Sequence, residues 1–307
     1  MWHMESQGYR SGFVAIVGRP SSGKSTFLNT VCGHKVSIVT PIPQTTRSGV
    51  RGIVSRDSGQ IVFLDTPGFH RSEQKFNRRM MGVVRQSVED GDAILLVIDG
   101  YRSGGEEEEA ILNLALESGK PLLVAVNKED LDPGRVKRRA EEVRGKVEGR
   151  NAEVLRLTAF EQESAQKVVS ALVNLLPEGE PFYPAEYYTD QDPIFRITEI
   201  VREKAMGFAR EELPHALYVA LQDSEQGDLN PETGQPSSLF ARIAIFVERE
   251  SQKGILVGKG GRVVRAIREQ AEEEIGELFD YPVRIELRVK VKPKWRRDEK
   301  LLEEFFG

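Results

Sequence analysis

The stretch VAIVGRPSSGKST, residues 14–26, decides the fold. An apolar run ends in Gly18, four residues pass, and Gly-Lys-Ser-Thr opens a helical pattern. Gly18 to Ser25 spells GRPSSGKS, the spacing of a phosphate-binding loop. Glycines let the backbone curl so that successive N–H groups face a phosphate, and the helix behind adds its positive N-terminal end. Lys24 is expected to reach the β- and γ-phosphates, and the Ser25 hydroxyl to ligate magnesium. Gly18, Ser21, Ser22, Gly23, Lys24, Ser25 and Thr26 are thus the expected nucleotide contacts. A glycine turn can join a strand to a helix by chance; what lies downstream argues against that here.

Working outward, short apolar runs recur at FVAIVG (13–18), QIVFLD (60–65), AILLVID (93–99), PLLVAVN (121–127) and AEVLRLT (152–158), separated by helical patterns. Strands buried on both faces and alternating with amphipathic helices predict an α/β domain with a mainly parallel, doubly wound sheet. GVRGIVSRDSGQIVFLD predicts an antiparallel hairpin at one edge. The Glu106–Glu109 run is expected in the first turn of a helix, where the dipole favours acids.

Two further motifs fall at strand ends. In DTPG (65–68), Asp65 can hold magnesium through water and the Gly68 N–H can contact a γ-phosphate. In NKED (127–130), Asp130 can accept two hydrogen bonds from guanine N1 and N2, which adenine does not supply in that arrangement. Asn127 can pair at the other purine edge, and the Lys128 stem can pack over the base. Either tetrapeptide alone is weak; three elements in this order, each at a strand end, are strong. They favour a guanine nucleotide over ATP.

Composition then shifts. The boundaries expected are a P-loop nucleotide domain over 10–178, a Pro-, Tyr- and acid-rich linker over 179–192, and a second domain over 193–307. One large domain is not excluded by length. The second domain reads as helix, strand, strand, glycine-interrupted helical region and strand. In SQKGILVGKGGRVVRAIREQA (251–271), Gly258, Lys259, Gly260 and Gly261 fit the GxxG loop of a KH domain. There glycines let an RNA backbone approach and Lys259 adds charge. Ile255, Leu256, Val257, Val263, Val264 and Ile267 are expected to pack two helices on a sheet, with Arg262, Arg265 and Arg268 exposed. In the last strand Val283, Ile285, Leu287, Val289 and Val291 alternate with a mostly basic face. Between Tyr281 and Lys300, eight basic residues face three acidic ones.

The whole chain has 307 residues, net charge −5, 39% hydrophobic and 30% charged residues, so any nucleic-acid site must be a local patch. One cysteine, Cys32, excludes an internal disulfide, and four scattered histidines argue against a metal cluster. No signal-peptide pattern or long apolar run occurs, which predicts a soluble intracellular protein.

These motifs resemble the translation-factor-related GTPases and, within them, the Era family. The loop PQTTR, Pro43–Arg47, resembles that family's first switch, which implies that Thr46 ligates magnesium with GTP bound; Thr45 is a rival. Lys24, Thr46 and Gly68 are then the expected catalytic residues. The LTA of 157–159 resembles a guanine-supporting loop that is usually Ser-Ala; Thr158 departs from it, and Ala159 would offer its N–H to the guanine oxygen. The second domain resembles a type II, bacterial-type α+β KH fold, and VKVKPKWRRDEKLLEEFF resembles the Era C-terminus.

The resemblance implies slow GTP hydrolysis with magnesium and binding of small-subunit ribosomal RNA near its 3′ end during assembly of that subunit. It also implies a cytoplasmic monomer, with peripheral membrane association in some members. Two departures bear on chemistry. Phe69 stands where Ras-like proteins carry a water-orienting glutamine, and cannot hydrogen-bond. Ser21 stands where relatives often carry an asparagine that helps hold potassium, which leaves potassium stimulation open. An RNA-binding module with a catalytically idle GTP domain, or another P-loop GTPase of the superfamily, are the alternatives.

Overall fold

A computed structural model describes residues 8–39, 50–66, 75–209 and 217–295. They form two compact units, divided between Asp190 and Gln191.

The first unit runs β1 (Arg10–Val17), α1 (Lys24–Cys32), β2 (Val50–Arg56), β3 (Gly59–Asp65), α2 (Lys75–Asp90), β4 (Ala93–Asp99), α3 (Glu106–Glu117), β5 (Leu122–Asn127), α4 (Pro133–Val147), β6 (Ala152–Arg156) and α5 (Gln162–Leu175). The sheet order is β2-β3-β1-β4-β5-β6, with β2 antiparallel to β3 and the other pairs parallel. The expected edge hairpin and parallel core are both present. β4 and β5 are buried at every position because helices cover both faces. On one face Ile94, Leu96, Val124 and Val126 pack with Ile111 of α3 and Val136 and Ala140 of α4. On the other, Phe27 of α1 meets Phe63 of β3 edge to face, 5.8 Å between centroids. Helix starts follow local chemistry: Asp132 accepts from the Arg135 N–H at 2.9 Å with Pro133 behind it, and Glu106–Glu109 fill the first turn of α3. The register sets Asp65 beside Ile16 and Asp99 beside Asn127, so polar residues gather at the C-terminal ends of the strands.

The residues read from composition as the start of a linker lie along this unit as far as Asp190. Tyr188 O accepts from the Ile53 N–H at 2.9 Å, the Thr189 hydroxyl donates to Arg51 O at 2.8 Å, and Asp190 pairs with Arg51 at 2.9 Å. Fully buried Gln60 accepts from the Phe182 and Tyr183 N–H groups at 2.7 and 3.0 Å and donates to Tyr183 O at 2.8 Å. The outer edge of β2 has backbone groups to satisfy, and this segment satisfies some of them.

The second unit comprises α6 (Pro193–Phe208), β7 (Tyr218–Gln226), β8 (Leu239–Val247), α7 (Glu250–Val257), a short 3-10 turn (Lys259–Gly261), α8 (Arg262–Leu278) and β9 (Val283–Val291). Its sheet is β7-β8-β9, antiparallel then parallel. Ile197, Ile200 and Val201 of α6, Leu256 of α7, and Ile267, Ala271 and Ile275 of α8 form the helical side of its core. Tyr218 stacks on Phe246 at 4.5 Å and meets fully buried Trp295 at 4.8 Å. No helix among the described residues is long and apolar enough to cross a membrane.

Candidate functional site

The loop after β1 closes on a left-handed residue, Gly23, at φ 105°, which caps the N-terminus of α1. A Cβ there would sit 2.1 Å from Asn127 Nδ2, so the position admits only glycine. Lys24 follows, 6% exposed, its Nζ donating to Gly18 O at 3.0 Å and Arg19 O at 3.1 Å. Burial pulls its pKa down to about 8, against the opposing pull of the Asp65 charge. Ser25 and Thr26 occupy the first turn of α1, half-buried, and Ser21 is exposed at φ 60°. Ser22 is fully buried, and its Oγ has no hydrogen-bond partner among the described residues.

Asp65, at the end of β3, is fully buried. Its Oδ2 accepts from the Ser37 hydroxyl at 2.9 Å and the Ser25 hydroxyl at 3.3 Å, whereas Oδ1 has no partner among the described residues. Burial pushes its pKa up, offset in part by the Lys24 charge, the two serine donors and the Thr66 backbone N–H. A buried carboxylate oxygen in want of a partner, beside a serine hydroxyl, is a hard-oxygen donor set of the kind magnesium takes. These residues fit that ion.

At the next two strand ends, Asn127 donates from Nδ2 to Ser22 O at 2.8 Å and accepts on Oδ1 from the Ala159 N–H at 2.9 Å. Both groups were expected to face a purine; here they bond to each other and tie the phosphate loop to the 157–159 loop. Lys128 sits at φ 72° and donates from Nζ to Asp99 Oδ2 at 2.7 Å. Asp99 Oδ1 in turn accepts from the Tyr101 and Arg102 N–H groups at 3.1 and 3.3 Å. Thr158 is buried, its N–H donating to the Ser164 hydroxyl at 2.8 Å. The Asp130 side chain is exposed, and no hydrogen bond or ion pair is found for it among the described residues. The structure thus brings Gly18–Thr26, Asp65, Asn127, Lys128, Thr158 and Ala159 to one edge of the sheet. Thr45, Thr46, Gly68 and Phe69 lie outside the described residues.

Ser37, Asn29 and Asp99 carry no motif and were not singled out from sequence. The only available signal was their polarity beside apolar neighbours.

In the second unit, α7 ends at Gly258 (φ 70°), and Gly260 and Gly261 also lie at positive φ. A Cβ on Gly258 would meet Val263 Cγ2 at 2.5 Å, so this glycine lets α7 and α8 close up. Lys259, Gly260, Arg262 and Arg265 are exposed on and beside the turn. Arg268, expected exposed, is half-buried and lies 3.9 Å from Glu272. Ile255, expected in the core, is 53% exposed, because the core position of α7 falls on Leu256. On β9, Arg284, Arg288 and Lys290 are exposed; Arg288 pairs with Glu286 at 2.5 Å, which tempers the basic face. Arg296, Arg297 and Lys300 lie outside the described residues.

A family described as 50S ribosome-binding GTPase matches residues 13–128, and a KH domain family matches 212–296. GTPase Era of Treponema denticola is 43% identical over 294 residues, covering 95% of this chain and 98% of that protein. GTPase Era of Treponema pallidum is 44% identical over 312 residues, with 95% and 96% covered. Among solved structures, a variant of Aquifex aeolicus Era bound to GDP and AlF4− matches with TM-score 0.89 and 35% identity, over 96% of this chain and 98% of that one. A structure of Era with MgGDPNP and nucleotides 1506–1542 of 16S ribosomal RNA matches with TM-score 0.88 and 35% identity, over 97% and 98%.

Proposed function

The chain belongs to the Era family of GTPases, and from that premise we propose that its first unit binds GTP with magnesium at the Gly18–Thr26 loop while its KH unit grips small-subunit ribosomal RNA during assembly of that subunit. Nucleotide state changes the grip. One observation carries the reading: a buried Lys24 ammonium hydrogen-bonded to the Gly18 and Arg19 carbonyls, with the buried Asp65 Oδ1 lacking a hydrogen-bond partner among the described residues. A site built for phosphate and a hard cation accounts for both, because each group gains on binding what the free protein leaves unmet.

In this reading Lys24 exchanges the Gly18 and Arg19 carbonyls for the β- and γ-phosphates as negative charge develops on the leaving diphosphate. Ser25 Oγ, Thr46, and Asp65 through water are the groups that would hold magnesium, which would supply neutralising charge to the phosphate oxygens. Asp130 accepts from guanine, and the Gly68 N–H meets the γ-phosphate. Phe69 leaves the attacking water without a side-chain acceptor, so turnover is slow until RNA or the small subunit supplies the missing stabilisation. The protein acts as a cytoplasmic monomer.

On the RNA side, the exposed Lys259 and the glycines around it receive the backbone, with Arg262 and Arg265 beside it. RNA crosslinked to the protein is recovered with GDP and with a non-hydrolysable GTP analogue, alongside single-turnover phosphate release. The expected result is enrichment of RNA from the 3′ end of the small-subunit transcript, more with the analogue, and phosphate release accelerated by that RNA. No release under any condition would point to an idle nucleotide domain; recovery of unrelated RNA would overturn the partner.

A further inference from the structure

Ser37 lies between α1 and the 40–49 segment, in no nucleotide-binding motif, yet it is 3% exposed. Its backbone is caged by one side chain of α1. Asn29 Oδ1 accepts from the Val36 and Ser37 N–H groups at 2.9 and 2.8 Å, and Asn29 Nδ2 donates to Ser37 O at 2.7 Å. The amide of Asn29 is thereby spent on holding Val36 and Ser37. The Ser37 hydroxyl then reaches Asp65 Oδ2 at 2.9 Å, closer than the 3.3 Å of Ser25. Both side-chain donors fall on the same carboxylate oxygen, the Thr66 backbone N–H adds to the hold on the carboxyl, and Oδ1 has no hydrogen-bond partner among the described residues.

From this geometry we propose that Ser37, set by Asn29, is a positioning residue for magnesium: it holds one oxygen of Asp65 so that the other is presented to the ion's water shell. The proposal rests on the assignment of Lys24, Ser25 and Asp65 to the nucleotide site. Its physical basis is that a buried carboxylate with one free oxygen turns about its Cβ–Cγ bond unless a donor fixes the other. Ser25 is a poor side-chain anchor, since its oxygen is the one expected to ligate the ion. Ser37 anchors Asp65 without competing for it. Outer-sphere groups of this kind set metal affinity through orientation rather than contact, typically by 10- to 100-fold.

The test is a Mn2+ titration of the full chain bound to a non-hydrolysable GTP analogue, read by electron paramagnetic resonance, with the Mg2+ dependence of hydrolysis as second readout. Ser37→Ala is expected to weaken Mn2+ binding about tenfold and raise the Mg2+ requirement equally, with kcat at saturating Mg2+ changed far less. Ser37→Thr, which keeps the hydroxyl, restores both. Asn29→Ala shifts affinity in the same direction. Should Ser37→Ala not fold, Ser37→Cys keeps the volume with a weak donor and is expected to show the shift. Ser25→Ala is the control for the underlying site. If Ser25→Ala weakens Mn2+ binding and Ser37→Ala does not, or if threonine fails to rescue, the positioning role is overturned. If neither variant changes binding, the assignment of the nucleotide site itself fails.

Discussion

Asn127 donates from Nδ2 to the carbonyl of Ser22 at 2.8 Å, joining residues 105 positions apart. Its other amide atom receives the Ala159 N–H at 2.9 Å. A single buried side chain therefore sets the distance between the phosphate end and the base end of the site, and Gly23 is free of a side chain so that it can. Asn127→Ala leaves a buried carbonyl and a buried N–H unpaired. The expected cost is about 2–4 kcal/mol of stability in the nucleotide-free protein, read by urea unfolding. An unchanged midpoint would mean the two loops hold their spacing without it.

The Lys24 ammonium predicts a pH dependence with a definite sign. Its pKa in the free protein is about 8, below the ordinary 10.5, so it loses its proton as pH rises through 8 while the unfolded chain keeps one until about 10.5. Between those values the unfolded state binds more protons, and stability of the nucleotide-free protein rises with pH. Nucleotide affinity moves the other way, because phosphate needs the cation. Calorimetric titration with GDP at pH 8.5, in buffers of different ionisation heat, should show proton uptake. Lys24→Arg, which carries a charge that does not titrate, should abolish it.

The Asp130 carboxylate is exposed at the end of the NKED segment. Asp130→Asn exchanges one acceptor oxygen for a donor. Guanine affinity should fall by on the order of 100-fold or more, and xanthine nucleotides should gain affinity, while stability stays within about 0.5 kcal/mol. Equilibrium titration with fluorescent GDP and XDP reads both. Undiminished GDP binding would move the base pocket elsewhere.

Lys259 and Gly260 are exposed at the turn between α7 and α8. Replacing both by aspartate puts two negative charges where an RNA backbone is expected. RNA binding by filter retention should be lost, with GDP binding unchanged. Equal RNA affinity would place the interface on another surface, such as the Arg284–Lys290 strand.

The parallel core was legible in sequence because burial on both faces writes β4 and β5 as unbroken apolar runs. Asp65 and Asn127 were legible because their motifs sit where such runs stop. Ser37 and Asn29 were not: their roles come from a contact across the α1 turn and onto β3, and no spacing in the chain encodes it. Asp99 was hidden as the last residue of an apolar strand, its pairing with Lys128 set by register between β4 and β5. Ile255 misled because a helix of eight residues offers several apolar positions to the core, and the turn at Gly258 selects Leu256.

Residues 180–190 alter where a shortened protein can be cut. Severing the chain at 178 would strip Gln60 of three hydrogen bonds and lay bare the flank of β2, a template on which a second molecule can add a strand. The isolated nucleotide-binding half should stay dispersed when carried through Asp190 and self-associate when it stops short.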